Sequence, residues 1–146
     1  MKELEDLKKC IKTAFADTPS PLDKPIPNQS FHAIALDLPL MSQDAEYWYI
    51  PQIMTDILDR LIRGEDASVE IEQIIFSLDP EGTFKSRSSN VNEMRLYQQR
   101  LLFLQKFNQR QRLAICQWVE IISALPETEN YFRAIQRINN RLCQSS

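Results

Sequence analysis

Few side chains in this chain have types and spacing suited to chemistry. His32 is the single histidine and stands beside Phe31. An imidazole titrates near neutral pH, but a triad also needs a nucleophile and an orienting acid, and no spacing here assembles them. A surface or packing role is expected for it. Asp56 and Asp59 are three residues apart, on one side of a helix, with Glu65 and Asp66 just beyond. Paired carboxylates bind a cation or share a proton. Arg60 and Arg63 are intermixed with them, which marks a solvated face. Metal sites want paired Cys or His at fixed spacing, and no such pattern occurs. The expectation is no catalytic residue, no metal and no cofactor.

The remaining candidates are for binding. Tyr47-Trp48-Tyr49 is the densest aromatic cluster. Consecutive helical residues point around most of the circumference, so all three cannot enter one core. At least one is left to meet solvent, the proline-rich segment or a partner, and exposed Tyr and Trp are typical binding anchors. Arg133, Arg137 and Arg141 recur every four residues and form a basic stripe. Lys106, Arg110 and Arg112 form a second basic group at a helix junction. Together the six could neutralise phosphates, although no recognised nucleic-acid motif accompanies them.

These side chains have to be positioned by helices. The stretch from Ile50 to Gly64 organises the rest: Ile50, Ile53, Met54, Ile57, Leu58, Leu61 and Ile62 lay one broad apolar stripe. Arg60 and Arg63 suit its C-terminal dipole, and Gly64 can end it in a left-handed conformation. Ser42 is its expected N-cap, with Pro51 causing a kink near 47–51 or dividing a short first helix from the main one. A first helix is expected over 3–16 and a short one over 31–38. Others are expected from Asp66 or Ser68 to about Leu78, from Asn90 to about Phe107 and from Asn108 to about Leu125. The last runs over about 127–143. Asn90 with Glu93, and Asn108 with Gln111, have the reciprocal capping pattern. On the helix after Asn90, Met94, Tyr97, Leu101 and Leu104 form the inward stripe, broadened by Leu102 and Phe103. Four prolines between 17 and 30 block helix and central strand alike, giving an irregular arm. Asp79-Pro80-Glu81-Gly82 reads as a turn, and 79–89 as an exposed loop.

The totals agree with a single helical domain over 1–146. At 146 residues roughly 70% of the unfolded surface can be buried, enough for a core without staples. Two glycines exclude Gly-rich phosphate loops and a turn-rich β fold. Net charge is −3, but residues 1–78 hold 7 Lys/Arg against 14 Asp/Glu, and residues 79–146 hold 10 against 6. Complementary fields between the halves, or a basic surface for an acidic partner, follow from that split. Cys10, Cys116 and Cys143 are an odd number with no close pair, which fits reduced thiols in a cytosol. The charged first residues are not a secretory signal, and no run is long enough to span a membrane.

Met41-Ser42-Gln43-Asp44-Ala45-Glu46-Tyr47-Trp48-Tyr49-Ile50-Pro51 resembles a motif of a family of small, uncharacterised bacterial proteins. That motif reads Leu-Thr-Pro-Glu-Ala-Phe-Arg-Tyr-Tyr-Leu-Pro. Ala14-Phe15…Pro19 and Phe107-Asn108-Gln109-Arg110-Gln111 are similar to two further patterns of the family. Gln43 stands where the family has its helix-starting proline, and Glu46-Tyr47 where it has Phe-Arg. The resemblance implies an α-helical cytosolic domain of unknown function and brings no catalytic residues with it.

The resulting expectation is an all-α bundle of five to seven helices with a proline-rich arm, residing in the cytoplasm. Its function is expected to be non-enzymatic: a protein-interaction or regulatory module, with a protein partner or a second copy bound through Tyr47, Trp48 and Tyr49. The alternative is nucleic-acid binding through the six basic residues.

Overall fold

The computed structural model describes residues 2–21, 30–79, 81 and 91–143, with the backbone alone at 93. Among these residues the regular structure is all helix, with no strand. The α-helices are α1 (Lys2–Ala14), α2 (Phe31–Asp37), α3 (Gln43–Ile62), α4 (Ser68–Leu78), α5 (Val91–Leu104), α6 (Gln109–Ser123) and α7 (Phe132–Ile138). Leu38–Leu40 and Pro126–Tyr131 are 3₁₀ turns, and Asn139–Cys143 is a π-helical turn. The chain divides into two compact units, Met1–Ile74 and Ile75–Ser146, with the division inside α4.

In the first unit α1 and α2 both pack on α3. The stripe read from the sequence is the reason: Ile50, Ile53, Met54, Ile57 and Leu58 are all fully buried. Each such side chain stabilises the fold by about 1.5–3 kcal/mol. Leu7 and Ile11 of α1, and Ile34 and Ala35 of α2, are buried as well. Ser42 caps α3, its hydroxyl accepting from the Ala45 N–H at 3.2 Å. The helix runs through Pro51 as one element of 20 residues, where the proline was expected to kink or divide it. Gln52 donates from its side chain to the Trp48 carbonyl at 3.0 Å, adding a bond across the same turn. At the other end Gly64 has φ +72°, the Gly64 N–H bonds the Leu61 carbonyl and the Glu65 N–H bonds the Arg60 carbonyl. That pair of bonds is the left-handed helix termination the glycine allows.

The second unit departs further from the sequence reading. α6 begins with the expected reciprocal cap: the Gln111 N–H reaches the Asn108 side chain at 2.9 Å, and the Asn108 N–H reaches the Gln111 side chain at 3.0 Å. Trp118 and Ile122 line its buried face. On α5, however, Met94 and Leu102 are exposed, and Tyr97, Phe103 and Leu104 are the buried residues. With Val91, also exposed, they leave an apolar stripe outward: the buried face keeps Tyr97 and Leu104 of the expected stripe and turns from there towards Phe103, away from Met94 and Leu102. The last helix is not the uniform 127–143 segment expected. Pro126 starts a 3₁₀ turn, α7 carries only 132–138, and the π turn follows. The Thr128 hydroxyl explains the first break, lying within hydrogen-bond reach of the Ile122 carbonyl at 3.0 Å and the Leu125 carbonyl at 2.8 Å. The same two carbonyls also accept the Leu125 and Thr128 N–H groups, at 3.0 and 3.2 Å, so the hydroxyl reinforces the 3₁₀ bonding at this junction.

Cys116 and Cys143 are joined by a disulfide across 27 residues of sequence, with Cα atoms 5.6 Å apart. The expectation of three reduced thiols is therefore corrected; Cys10 is the cysteine that forms no disulfide. Spacing along the chain concealed a pair that folding brings together, since α6 and the π turn pack on each other. The Asn90–Glu93 cap, most of the 79–82 turn, the 83–89 loop and most of the proline-rich arm lie outside the described residues; Asp79, expected in an exposed loop, is buried.

Candidate binding site

The aromatic cluster is split three ways by α3. Tyr49 is buried in the core. Tyr47 is half-buried and meets Phe15 of α1 edge-to-face, with ring centroids 6.1 Å apart. Trp48 is half-buried and lines an open cavity of about 300 Å³. Helical geometry required at least one of the three to stay out of the core, and Tyr47 and Trp48 both do so in part.

The cavity lies between the end of α1, the residues after it, and the middle of α3. Ile11 and Phe15 form one wall, Trp48 and Pro51 the other, and Lys12, Thr18, Gln52 and Thr55 supply polar edges. The α3 polar groups are partly satisfied within the helix. Gln52 donates to the Trp48 carbonyl, and the Thr55 hydroxyl donates to the Gln52 carbonyl at 2.9 Å. Thr18 differs: its hydroxyl oxygen is buried and has no hydrogen-bond partner among the described residues. Lys12 is exposed at the rim. The neighbouring Lys8 is instead drawn to Asp59 of α3 and to Glu5, and the Asp59 carboxylate is the first reason its ammonium is held above its ordinary pKa. A concave, mainly apolar surface with a few polar groups has the form of a binding pocket. The sequence marked the Tyr47-Trp48-Tyr49 cluster as a whole, but it gave no sign of Ile11, Lys12, Phe15 or Thr18 as partners of Trp48. Only the packing of α1 on α3 shows that.

The acidic pair is not a bare carboxylate site. Asp56 accepts from Arg60 at 3.0 Å, while Asp59 is held by Lys8. Arg60 is raised above its ordinary pKa chiefly by that bond to Asp56. Glu65 pairs with Arg63, and Asp66 accepts from both the N–H and the hydroxyl of Ser68. His32 Nδ1 lies 2.7 Å from Oε1 of Glu70, a carboxylate only 2% exposed, with Arg60 Nη1 3.8 Å from the same oxygen. The histidine thus joins α2 to α4 by satisfying a buried acid. No group of three or more metal-ligating side chains is present among the described residues.

The six basic residues are not one surface of like character. Arg137 is bound side-on by Asp79, Nε to Oδ1 at 2.9 Å and Nη2 to Oδ2 at 2.7 Å, and this bond is the first cause of its raised pKa. Glu81 stands 3.8 Å away. Arg141 donates to the Tyr97 hydroxyl at 2.7 Å. Arg112 donates to the Phe107 carbonyl at 3.0 Å and lies near that of Leu104, closing the end of α5. Lys106, Arg110 and Arg133 are exposed. A second cavity, of about 260 Å³, is lined by Glu81, Arg137, Asn140 and Arg141, so it presents both signs of charge. Sequence spacing found the arginines but not Asp79, the buried counter-charge of Arg137.

No protein-family model, curated protein or solved structure matches this chain. No helix among the described residues is long and apolar enough to cross a membrane.

Proposed function

We propose that this protein is a non-enzymatic interaction or regulatory module that takes a large apolar side chain of a protein partner into the Trp48 cavity. The observation carrying this reading is the cavity itself. Its apolar walls come from two helices, and Trp48 is half-buried within it. Aromatic side chains in such concave sites are the usual anchors of protein binding. The motif resemblance over 41–51 belongs to the same proposal, because it implies a helical domain and assigns no catalysis.

Exchange-protection mapping tests the reading. A partner is expected to protect amides of residues 11–18 and 48–55, and Trp48→Ala is expected to remove both protection and binding. A chain with no partner and no self-association at micromolar concentration counts against it. The nucleic-acid alternative has less to stand on, since Asp79 neutralises Arg137 and Arg112 is engaged with helix carbonyls. Retention on DNA or RNA with a steep loss in salt would restore it. A cytoplasmic setting is also part of the proposal, and the Cys116–Cys143 disulfide counts against it. Thiol counting on protein taken directly from cells checks it: three free thiols fit a reducing compartment, and one fits an oxidising compartment.

A further inference from the structure

We infer that the partner element entering the Trp48 cavity carries a carboxylate next to its apolar anchor, so that the site reads an acidic, apolar-anchored peptide. The inference rests on the binding reading above and adds the chemical class of the partner. Two observations point to it. The first is the Thr18 hydroxyl, buried on the cavity wall with no hydrogen-bond partner among the described residues. Buried polar atoms are nearly always paired, and a turn of the Thr18 side chain towards the open cavity beside it lets a ligand atom complete this one. A peptide backbone offers both a donor and an acceptor there.

The second observation is charge. Lys12 sits at the rim, exposed, with no ion pair among the described residues. Lys8, one turn earlier, is matched by Asp59 and Glu5. One ammonium of α1 is therefore neutralised from α3, and the one bordering the cavity is left for an anion. Trp48 and Phe15 supply an apolar floor for the anchor. A volume of about 300 Å³ holds one large side chain. It lies at the lower end of ligand pockets, which run from about 300 to 1,000 Å³.

The test is a titration of the full chain, followed by NMR at the Trp48 indole N–H and the amides of 11–18, with three probes. N-acetyl-phenylalanine has ring, amide and carboxylate; N-acetyl-phenylalaninamide lacks the charge; phenylalaninamide carries the opposite charge. The acid is expected to bind about three- to fivefold more tightly than the neutral amide, the advantage of one exposed ion pair, and the cation more weakly still. Lys12→Gln should erase the difference between acid and neutral amide. So should about 1 M salt, where the Debye length falls to about 3 Å. Thr18→Val should weaken acid and neutral amide alike while leaving the free protein at least as stable, because the orphan hydroxyl is gone. A merely structural threonine would not give that combination.

Equal binding of acid and neutral amide overturns the carboxylate inference and leaves the anchor reading standing. Binding of none of the three, or binding indifferent to Trp48→Ala, overturns both. Binding only after deletion of residues 22–29 assigns the cavity to the chain's own segment, and dilution-dependent Trp48 shifts without probe assign it to a second copy. Either result overturns the inference.

Discussion

Around Ile50–Leu58 the first unit is closed by side chains of one kind. Five aliphatic or thioether groups at helical spacing are all fully buried, and α1 and α2 pack on the helix that carries them. Around 126–143 the second unit uses apolar burial too, at Ile135, Ile138 and Leu142. To this it adds a bidentate ion pair, a threonine within reach of two carbonyls and a disulfide. The contrast follows from helix length. α3 has 20 residues and can present a continuous stripe, whereas α7 has 7 and cannot. A short helix gains little from its own backbone and must be fixed by what it touches. Directional bonds do that, but they fail differently from a packed core: removing one partner exposes the other to a medium that cannot solvate it.

The comparison is sharpest at Asp79–Arg137. Asp79 is 1% exposed, and Arg137 satisfies both its oxygens. Removing one partner of a buried pair costs about 3–5 kcal/mol. Arg137→Ala is expected at the lower end, about 3 kcal/mol, because Asp79 still accepts the Glu81 N–H at 3.2 Å. Ile57→Ala in the first unit should cost a similar amount, about 2–5 kcal/mol, by leaving a cavity. The double change Asp79→Leu with Arg137→Met separates the two mechanisms. It should recover most of the Arg137→Ala loss, since apolar replacement of a buried pair is often neutral. Denaturant midpoints, with hydrogen exchange of amides in the unit carrying each change, measure all three. If Arg137→Ala is silent, the ion pair is not what fixes α7.

Next in size is the disulfide. Closing a loop of 27 residues restricts the unfolded chain by about 3.5 kcal/mol at 25 °C on the chain-entropy account. Cys116→Ser with Cys143→Ser, or reduction of the bond, should lower stability by about 2–4 kcal/mol. Exchange of amides in 132–143 should report the loss most directly. If reduction leaves those amides protected, α7 and the π turn are held by Asp79 and apolar packing alone.

These differences explain which parts of the structure could be read from residue types. Local patterns survive folding: the Ile50–Leu58 stripe, the Ser42 and Asn108 caps and the Gly64 stop each depend on residues within a few positions. The all-α class follows from them. What depended on distant partners did not show. Arg137 reads as one member of a basic stripe, and its counter-charge is 58 positions away. Cys116 and Cys143 show no pairing until α6 meets the π turn. Met94 and Leu102 carry the right residue types for an inward face, but of the expected stripe packing buries Tyr97, Phe103 and Leu104 and leaves those two exposed. That one of Tyr47, Trp48 and Tyr49 must stay out of the core was legible, whereas the cavity that Trp48 lines needed Phe15 and Thr18 from outside its helix.

The smallest effect tests the local side of the comparison. Gly64 has φ +72°, and a Cβ built there meets nothing within 4 Å. Any penalty at this position is therefore conformational rather than steric crowding by neighbours. Gly64→Ala should cost about 1 kcal/mol, since an L-residue is strained in this region by about 1–2 kcal/mol and alanine regains some in the unfolded state. Gly64→Asn should cost less, because asparagine tolerates the left-handed region. Denaturant midpoints of the two variants give the comparison. A loss in Gly64→Ala several times larger would mean that the end of α3 is tied to more than its own turn. The first unit would then share the non-local character of the second.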